Sequence, residues 1–176
     1  MKKNALKLLY TVAATVCFSF TIVNVNAQNE PAGDSHDTRL GVGLSLGIPT
    51  NDAYNIAVGG DLRLQKDFYS NVSGILSLGY TNFSIKDDLG GGSYGFIPLK
   101  AGVKIFPTQR FYFSGELGAA FGTDKGQETA FIYAPGIGIG FNNGIDLGLR
   151  YEGLSVNNSN LGQVALRIAY GFNLSR

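Results

Sequence analysis

The chain has one cysteine, one histidine and no tryptophan, and each shortage closes off a class of function. Cys17 lies inside an apolar N-terminal run, so removal of that run leaves no thiol for a disulfide. Ala14-Thr15-Val16 lacks the leucine and the small residue that precede a lipidated cysteine, which excludes lipidation at Cys17. With His36 as the sole histidine, neither a zinc nor a copper site is supported. A histidine-based hydrolytic centre is equally unsupported, because His36 precedes the first structured segment. Charge is also sparse and balanced. Without Lys2, Lys3 and Lys7, eleven of the fourteen Lys plus Arg remain against thirteen Asp plus Glu, a balance that does not suggest a nucleic-acid partner. No catalytic residue, cofactor or metal ligand is expected.

What is present begins with an export signal. Lys2, Lys3 and Lys7 lead into an apolar run from Leu8 to Val23, and Val25-Asn26-Ala27 supplies small residues where a signal peptidase reads. The run is interrupted by Thr11, Thr15, Ser19 and Thr21 and is too short for a comfortable span, so residues 1–27 are read as a signal peptide cleaved after Ala27. Residues 28–37 show no apolar periodicity and are read as a flexible leader, leaving 38–176 as one barrel domain.

From Arg39 onward apolar and polar residues alternate with period two, the signature of a two-faced strand. Eight segments are expected near 38–49, 54–66, 71–83, 94–106, 111–122, 130–142, 145–154 and 162–174. Each has the roughly ten residues with which a tilted strand crosses a bilayer. Connections at 67–70, 107–110 and 142–144 are tight, whereas 84–93, 123–129 and 155–161 are longer and polar. Pro49 to Ala53 is a short loop on the long-loop side. Short turns on one side and loops on the other predict an all-β, eight-stranded antiparallel up-and-down transmembrane β-barrel.

Sorting the strands by parity separates two faces. One carries Leu44, Leu62, Leu76, Leu99, Leu117, Leu149 and their apolar neighbours. The other carries the acids Asp61, Glu116, Asp146 and Glu152 and the bases Arg63, Lys100, Lys104, Arg150 and Arg167, interleaved with glycines such as Gly43, Gly102, Gly118, Gly136 and Gly148. A soluble sandwich or a ligand-binding cup would show the same alternation with the apolar set inside. The balance of charge, the glycines on the charged face and the aromatics near strand ends favour lipid outside and charge inside. Phe68, Tyr69, Phe106, Phe111, Phe113, Phe141, Tyr170 and Phe172 fall toward the turn end, and Tyr80, Phe121, Phe131, Tyr133 and Tyr151 toward the loop end, as two girdles.

The interior of eight strands has little room, so charged side chains must alternate with small ones. Three hairpin registers follow from the turns. Ile139 opposite Leu147 sets Gly136 against Arg150; Leu46 opposite Val58 sets Gly43 against Asp61; Ile105 opposite Phe111 sets Lys100 against Glu116. The expected result is a lumen plugged by ion pairs, with Lys100 and Glu116 as one of them.

Three segments carry a family resemblance: Val164-Ala165-Leu166-Arg167-Ile168-Ala169-Tyr170-Gly171-Phe172, Ile97-Pro98-Leu99-Lys100-Ala101-Gly102-Val103-Lys104 and Gly115-Glu116-Leu117-Gly118-Ala119-Ala120-Phe121. The chain resembles the small bacterial outer-membrane β-barrels, the porin-family proteins similar to the OmpA transmembrane domain and the OmpX-like proteins. The resemblance implies a monomer in the outer membrane of a Gram-negative bacterium, in contact with lipid and lipopolysaccharide. It also implies that the barrel insertion machinery reads Leu166, Ile168, Tyr170 and Phe172 in the last strand, although Asn-Leu-Ser-Arg follows Phe172 here where the family ends in an aromatic. The expected function is a structural or surface-interaction role through loops 84–93, 122–129 and 155–160, toward a ligand that the residues do not name. A narrow gated porin and a soluble secreted barrel for a small apolar ligand are the alternatives. Gly41-Val42-Gly43 and Gly136-Ile137-Gly138-Ile139-Gly140 have no helix after them and are strand glycines, not phosphate loops. Asp87, Asp88, Asp124 and Glu128 are read as solvated loop charge.

Overall fold

The computed structural model describes residues 37–175 apart from 125, 157 and 158 and the side chain of Ser159. The signal peptide, its cleavage point at Ala27, Cys17, His36 and the leader as far as residue 36 lie outside the described residues.

Period-two alternation becomes eight strands: β1 (Thr38–Pro49), β2 (Tyr54–Tyr69), β3 (Val72–Ile85), β4 (Ser93–Ile105), β5 (Phe111–Gly122), β6 (Ala130–Gly140), β7 (Ile145–Val156) and β8 (Ser159–Asn173). Each pairs antiparallel with its sequence neighbour, and β1 pairs with β8 from Arg39↔Asn173 to Pro49↔Gln163, closing the barrel. Closure satisfies every strand edge, which an open sheet in hydrocarbon cannot do.

Two expectations about the connections are corrected. Asp67, Phe68 and Tyr69 are not a turn; β2 runs on through them, with a register shift between Asp67 and Tyr69 that admits the extra residue. The 155–161 loop shrinks because β7 and β8 stay paired up to Val156↔Ser159, the apolar Val156 and Leu161 packing against the loop-end core. The remaining loop-end segments are 50–53, 86–92 with its single 3-10 turn at Asp87–Leu89, and 123–129. At the turn end Gly144 takes φ 90° in the β6–β7 connection, a left-handed conformation that favours glycine.

The outer face is apolar along the full girth. Leu44 is 72% exposed, and Leu62, Leu76, Leu99, Leu117 and Leu149 are also exposed. A soluble monomer does not present apolar surface on this scale. Glycines on this face are roofed by aromatic rings: Phe68 covers Gly74 and Tyr133 covers Gly153. Exposed Phe68, Tyr69, Phe113, Tyr170 and Phe172 mark the turn-end level, and Tyr80, Phe121, Phe131 and Tyr133 the loop-end level.

The interior has two storeys. Toward the loop end, Ala57, Phe83, Phe96, Ala120, Ala130, Ile132 and Leu154 form an apolar core. Phe83 stacks on Phe96 at 5.7 Å between ring centroids and meets the edge of Tyr54 at 5.4 Å. Below it, toward the turns, the lining is polar and charged.

Candidate functional site

The charged storey is built by one face of six strands. Asp61 and Arg63 come from β2, Lys100 and Lys104 from β4, Glu116 from β5, Asp146, Arg150 and Glu152 from β7, and Arg167 from β8, while β3 contributes Ser77. All point inward, and Glu152 is fully buried. Their lateral neighbours are small: Lys100 faces Gly118 and Ser77, Glu116 faces Gly102, Arg63 faces Gly41 and Ser77, and Arg167 faces Ser45 and Gly148. Lys100, Glu116, Arg63 and Arg167 therefore have no charged partner beside them and reach across the lumen, whereas Glu152 has Gln163 directly opposite it.

That geometry corrects the expected Lys100 and Glu116 pair. Ile105 lies opposite Phe113 and not Phe111, a two-residue shift that sets Gly102 against Glu116. Glu116 instead accepts from Arg63 Nη2 at 2.6 Å and from Ser77 Oγ at 2.6 Å. Lys100 donates to Glu152, which also accepts from Gln163 at 2.7 Å and lies 3.3 Å from Arg150. The other two registers are as expected, Gly136↔Arg150 with Ile139↔Leu147 and Gly43↔Asp61 with Leu46↔Val58.

Arg167 spans two acids. Its Nε and Nη2 hold Asp61 in a fork at 2.9 and 2.5 Å, and Nη1 approaches Asp146 at 3.3 Å. The guanidinium lies over Gly43, where any Cβ would stand 2.6 to 2.8 Å from it. Lys104 donates to Asp146 at 2.6 Å, sits 4.0 Å from the centre of the Tyr112 ring and shares Asp146 with the Tyr112 hydroxyl, which donates at 2.8 Å. Arg150 Nη1 comes within 3.6 Å of Asp61.

Reading charge alone misses Tyr112, Ser77, Gln163 and a turn-end cluster in which Gln65 and Ser73 donate to Asp67 at 3.1 and 2.5 Å. Parity carried the signal, since each lies on the inward register of its strand. Asp67 also meets Arg39, which reaches Asp37 at 3.4 Å. Asp37, placed in the leader by composition, is thus tied to the turn-end rim.

The last strand directs Leu166, Ile168, Tyr170 and Phe172 outward, with the Tyr170 and Phe172 rings 4.9 Å apart. Residues 173–175 continue this order. Asn173 pairs with Arg39, Leu174 N donates to Thr38 O at 2.8 Å, and Thr38 N donates to Ser175 Oγ at 2.8 Å. Leu174 is exposed, so the outward apolar register extends one step beyond Phe172.

At the loop end, Asp124 accepts from Gln127 Nε2 at 2.8 Å, while Asp87 and Asp88 occupy the 3-10 turn. Among the described residues no group of histidines, cysteines and acids is arranged to hold a metal.

No protein-family model and no curated relative matches the chain. Among solved structures, the outer-membrane attachment invasion locus protein Ail of Yersinia pestis is similar at 17% identity and TM-score 0.58, over 78% of this chain and 99% of that one. The outer-membrane enzyme PagL is similar at 16% identity and TM-score 0.52, over 74% and 98%. Neisserial surface protein A is similar at 12% identity and TM-score 0.51, over 80% and 99%. At these identities the likeness concerns the backbone, and one of the three is an enzyme, so the fold leaves activity undecided. The chain is a closed eight-stranded antiparallel β-barrel with the fold of the outer-membrane barrels.

Proposed function

We propose that this chain is an integral protein of the Gram-negative outer membrane, exported by a signal peptide cleaved after Ala27. Its interior is closed, and its role is structural or one of surface contact. The observation that supports this reading is the combination of an exposed apolar belt with a buried core of ion pairs, an arrangement that suits lipid outside and tolerates no apolar solvent inside. The nine charged side chains and the apolar storey above them fill the bore. Eight strands leave too little space for a water column once these groups point inward. The strand signal for the insertion machinery is Leu166, Ile168, Tyr170 and Phe172, with Leu174 continuing the same face. The chain acts as a monomer without enzymatic activity; residues 37–175 hold no histidine or cysteine. Contact with lipopolysaccharide or with a surface ligand falls to segments 86–92 and 123–129.

Two measurements test this. The protein is expected in the outer-membrane fraction, released only by detergent; recovery in periplasm or medium would establish the soluble barrel instead. Purified protein in a planar bilayer is expected to give no steady current, and a stable conductance would replace the closed lumen with a narrow porin.

A further inference from the structure

Along the eight strands, the outward register carries a single charged side chain. Every strand aspartate, glutamate and arginine lies on the inward register, as do Lys100 and Lys104; Lys66 alone shares the outward register of Leu64 and Phe68. Lys66 is exposed and forms no ion pair or hydrogen bond with any described residue. Its neighbour Asp67 points the other way and, like Asp37, meets Arg39. The cation is therefore without a counterion on its own side of the sheet.

Its place in the belt decides what it meets. Lys66 stands opposite Thr38 on β1 and Gly74 on β3. The Phe68 ring fills the place of a side chain at Gly74, so aromatic carbon closes that flank. On the other flank the Thr38 backbone is fixed by Leu174 and Ser175, while its hydroxyl bonds to no described residue. Phe68 and Tyr69 are exposed at the same turn-end level, and Leu40, Leu62 and Leu64 continue the outward face toward mid-belt. The loop-end girdle of Tyr80, Phe121, Phe131 and Tyr133 has no cation on the outward register of its strands. A lysine at the edge of an apolar belt lays its stem on apolar surface and carries its charge among the headgroups. There the available counterion is a lipid phosphate.

We infer that Lys66 and Thr38 form the headgroup site of one anionic phospholipid in the leaflet on the turn side. The Lys66 ammonium and the Thr38 hydroxyl donate to phosphodiester oxygens, and the leucines above them take the acyl chains. A zwitterionic headgroup suits the site less, because its own ammonium competes with Lys66 for the phosphate. The site rests on the membrane reading above and names a lipid for the turn side, whereas lipopolysaccharide contact was assigned to the loop end.

The test uses the isotope-labelled intact barrel in a zwitterionic detergent, titrated with short-chain phosphatidylglycerol, with phosphatidylcholine of the same chains, or with inorganic phosphate. Amide shifts at Thr38 and residues 64–69 are expected to saturate with phosphatidylglycerol and to be weaker with phosphatidylcholine. Lys66→Gln is expected to weaken the phosphatidylglycerol titration about fivefold, which corresponds to ~1 kcal/mol for one cation at a charged lipid surface. Lys66→Arg is expected to keep it. Equal responses to the two lipids, or a phosphatidylglycerol response unchanged in Lys66→Gln, overturn the site. The same shifts with inorganic phosphate overturn a lipid as its occupant. Should Lys66→Gln not fold, the comparison of the two lipids on the unaltered protein decides alone. Recovery in periplasm without detergent would fail the membrane reading, whereas a detergent-released barrel that does not discriminate the lipids would fail this site only.

Discussion

A charged side chain in this interior survives because it has a partner across the bore. Removing Glu116 by Glu116→Ala leaves Arg63 buried without its carboxylate, and breaking a buried pair costs about 3–5 kcal/mol. Urea unfolding of the refolded barrel in detergent is expected to show that loss; a change below about 1 kcal/mol would mean that Arg63 re-pairs. Gly43 is constrained differently. A side chain there enters the Arg167 guanidinium, so Gly43→Val is expected to push Arg167 off Asp61 and cost about 1–3 kcal/mol, as overpacking does. Unaltered unfolding would show that Arg167 has another route to Asp61. Identity and parity set nine charges on one face of the strands but not Asp67, which the sequence puts in a turn and the structure buries at the end of β2. Ser77 and Gln163 fall on the charged face by parity, but the acceptors that they and Tyr112 reach are not legible in the sequence, because an uncharged polar residue does not stand out until its acceptor is known.

Among strands and hairpins, alternation transferred to structure almost residue for residue. The hydrophobic face of a strand can point only one way here, outward, and slipping by one residue would turn it into the charged lumen. Errors arose where pattern does not constrain geometry. The β4–β5 register is two residues from the simple hairpin because the connection 106–110 holds more chain than a tight turn; a two-residue slip keeps every side chain on its face, so the alternation is silent about it. Loop length at β7–β8 was likewise hidden, since polar residues at 155–160 can pair as strand or hang as loop. At the centre of β1, Leu44 sits between Gly60 and Ile168 with its side chain outward. Leu44→Arg is expected to cost about 2–4 kcal/mol for folding into a bilayer, the value for a cation on the lipid face at mid-depth. The same change in short-chain detergent should cost much less, and equal costs in both would argue that β1 does not face hydrocarbon. At the seam, deleting residues 173–176 removes the Leu174 and Ser175 hydrogen bonds to Thr38. Slower assembly into vesicles is expected, read as the delayed appearance of the heat-modifiable band; an unchanged rate would confine the insertion signal to Phe172 and the residues before it.

For the whole molecule, the arrangement inverts a soluble protein, with charge at the centre and leucine at the surface, and this inversion is stable only in lipid. The interior divides into a charged lower storey and an apolar upper one, in which Phe83, Phe96 and Ile132 are wholly buried. The short loop-end connections leave 86–92 and 123–129 as the main surface above the belt. Grafting out 123–129 is expected to leave folding intact and to change only contacts made at that end; loss of the folded, heat-modifiable form would assign the segment a structural role. The sequence by itself determined the strand number and the two faces, because period-two patterning depends on local order alone. Only the tertiary structure decided which charge meets which. Glycine and serine beside Arg63 and Lys100 send them across the lumen, so Arg63 finds Glu116 and Lys100 finds Glu152 on strands far apart in the chain, and a distance across a closed barrel is set by the closure of all eight strands together.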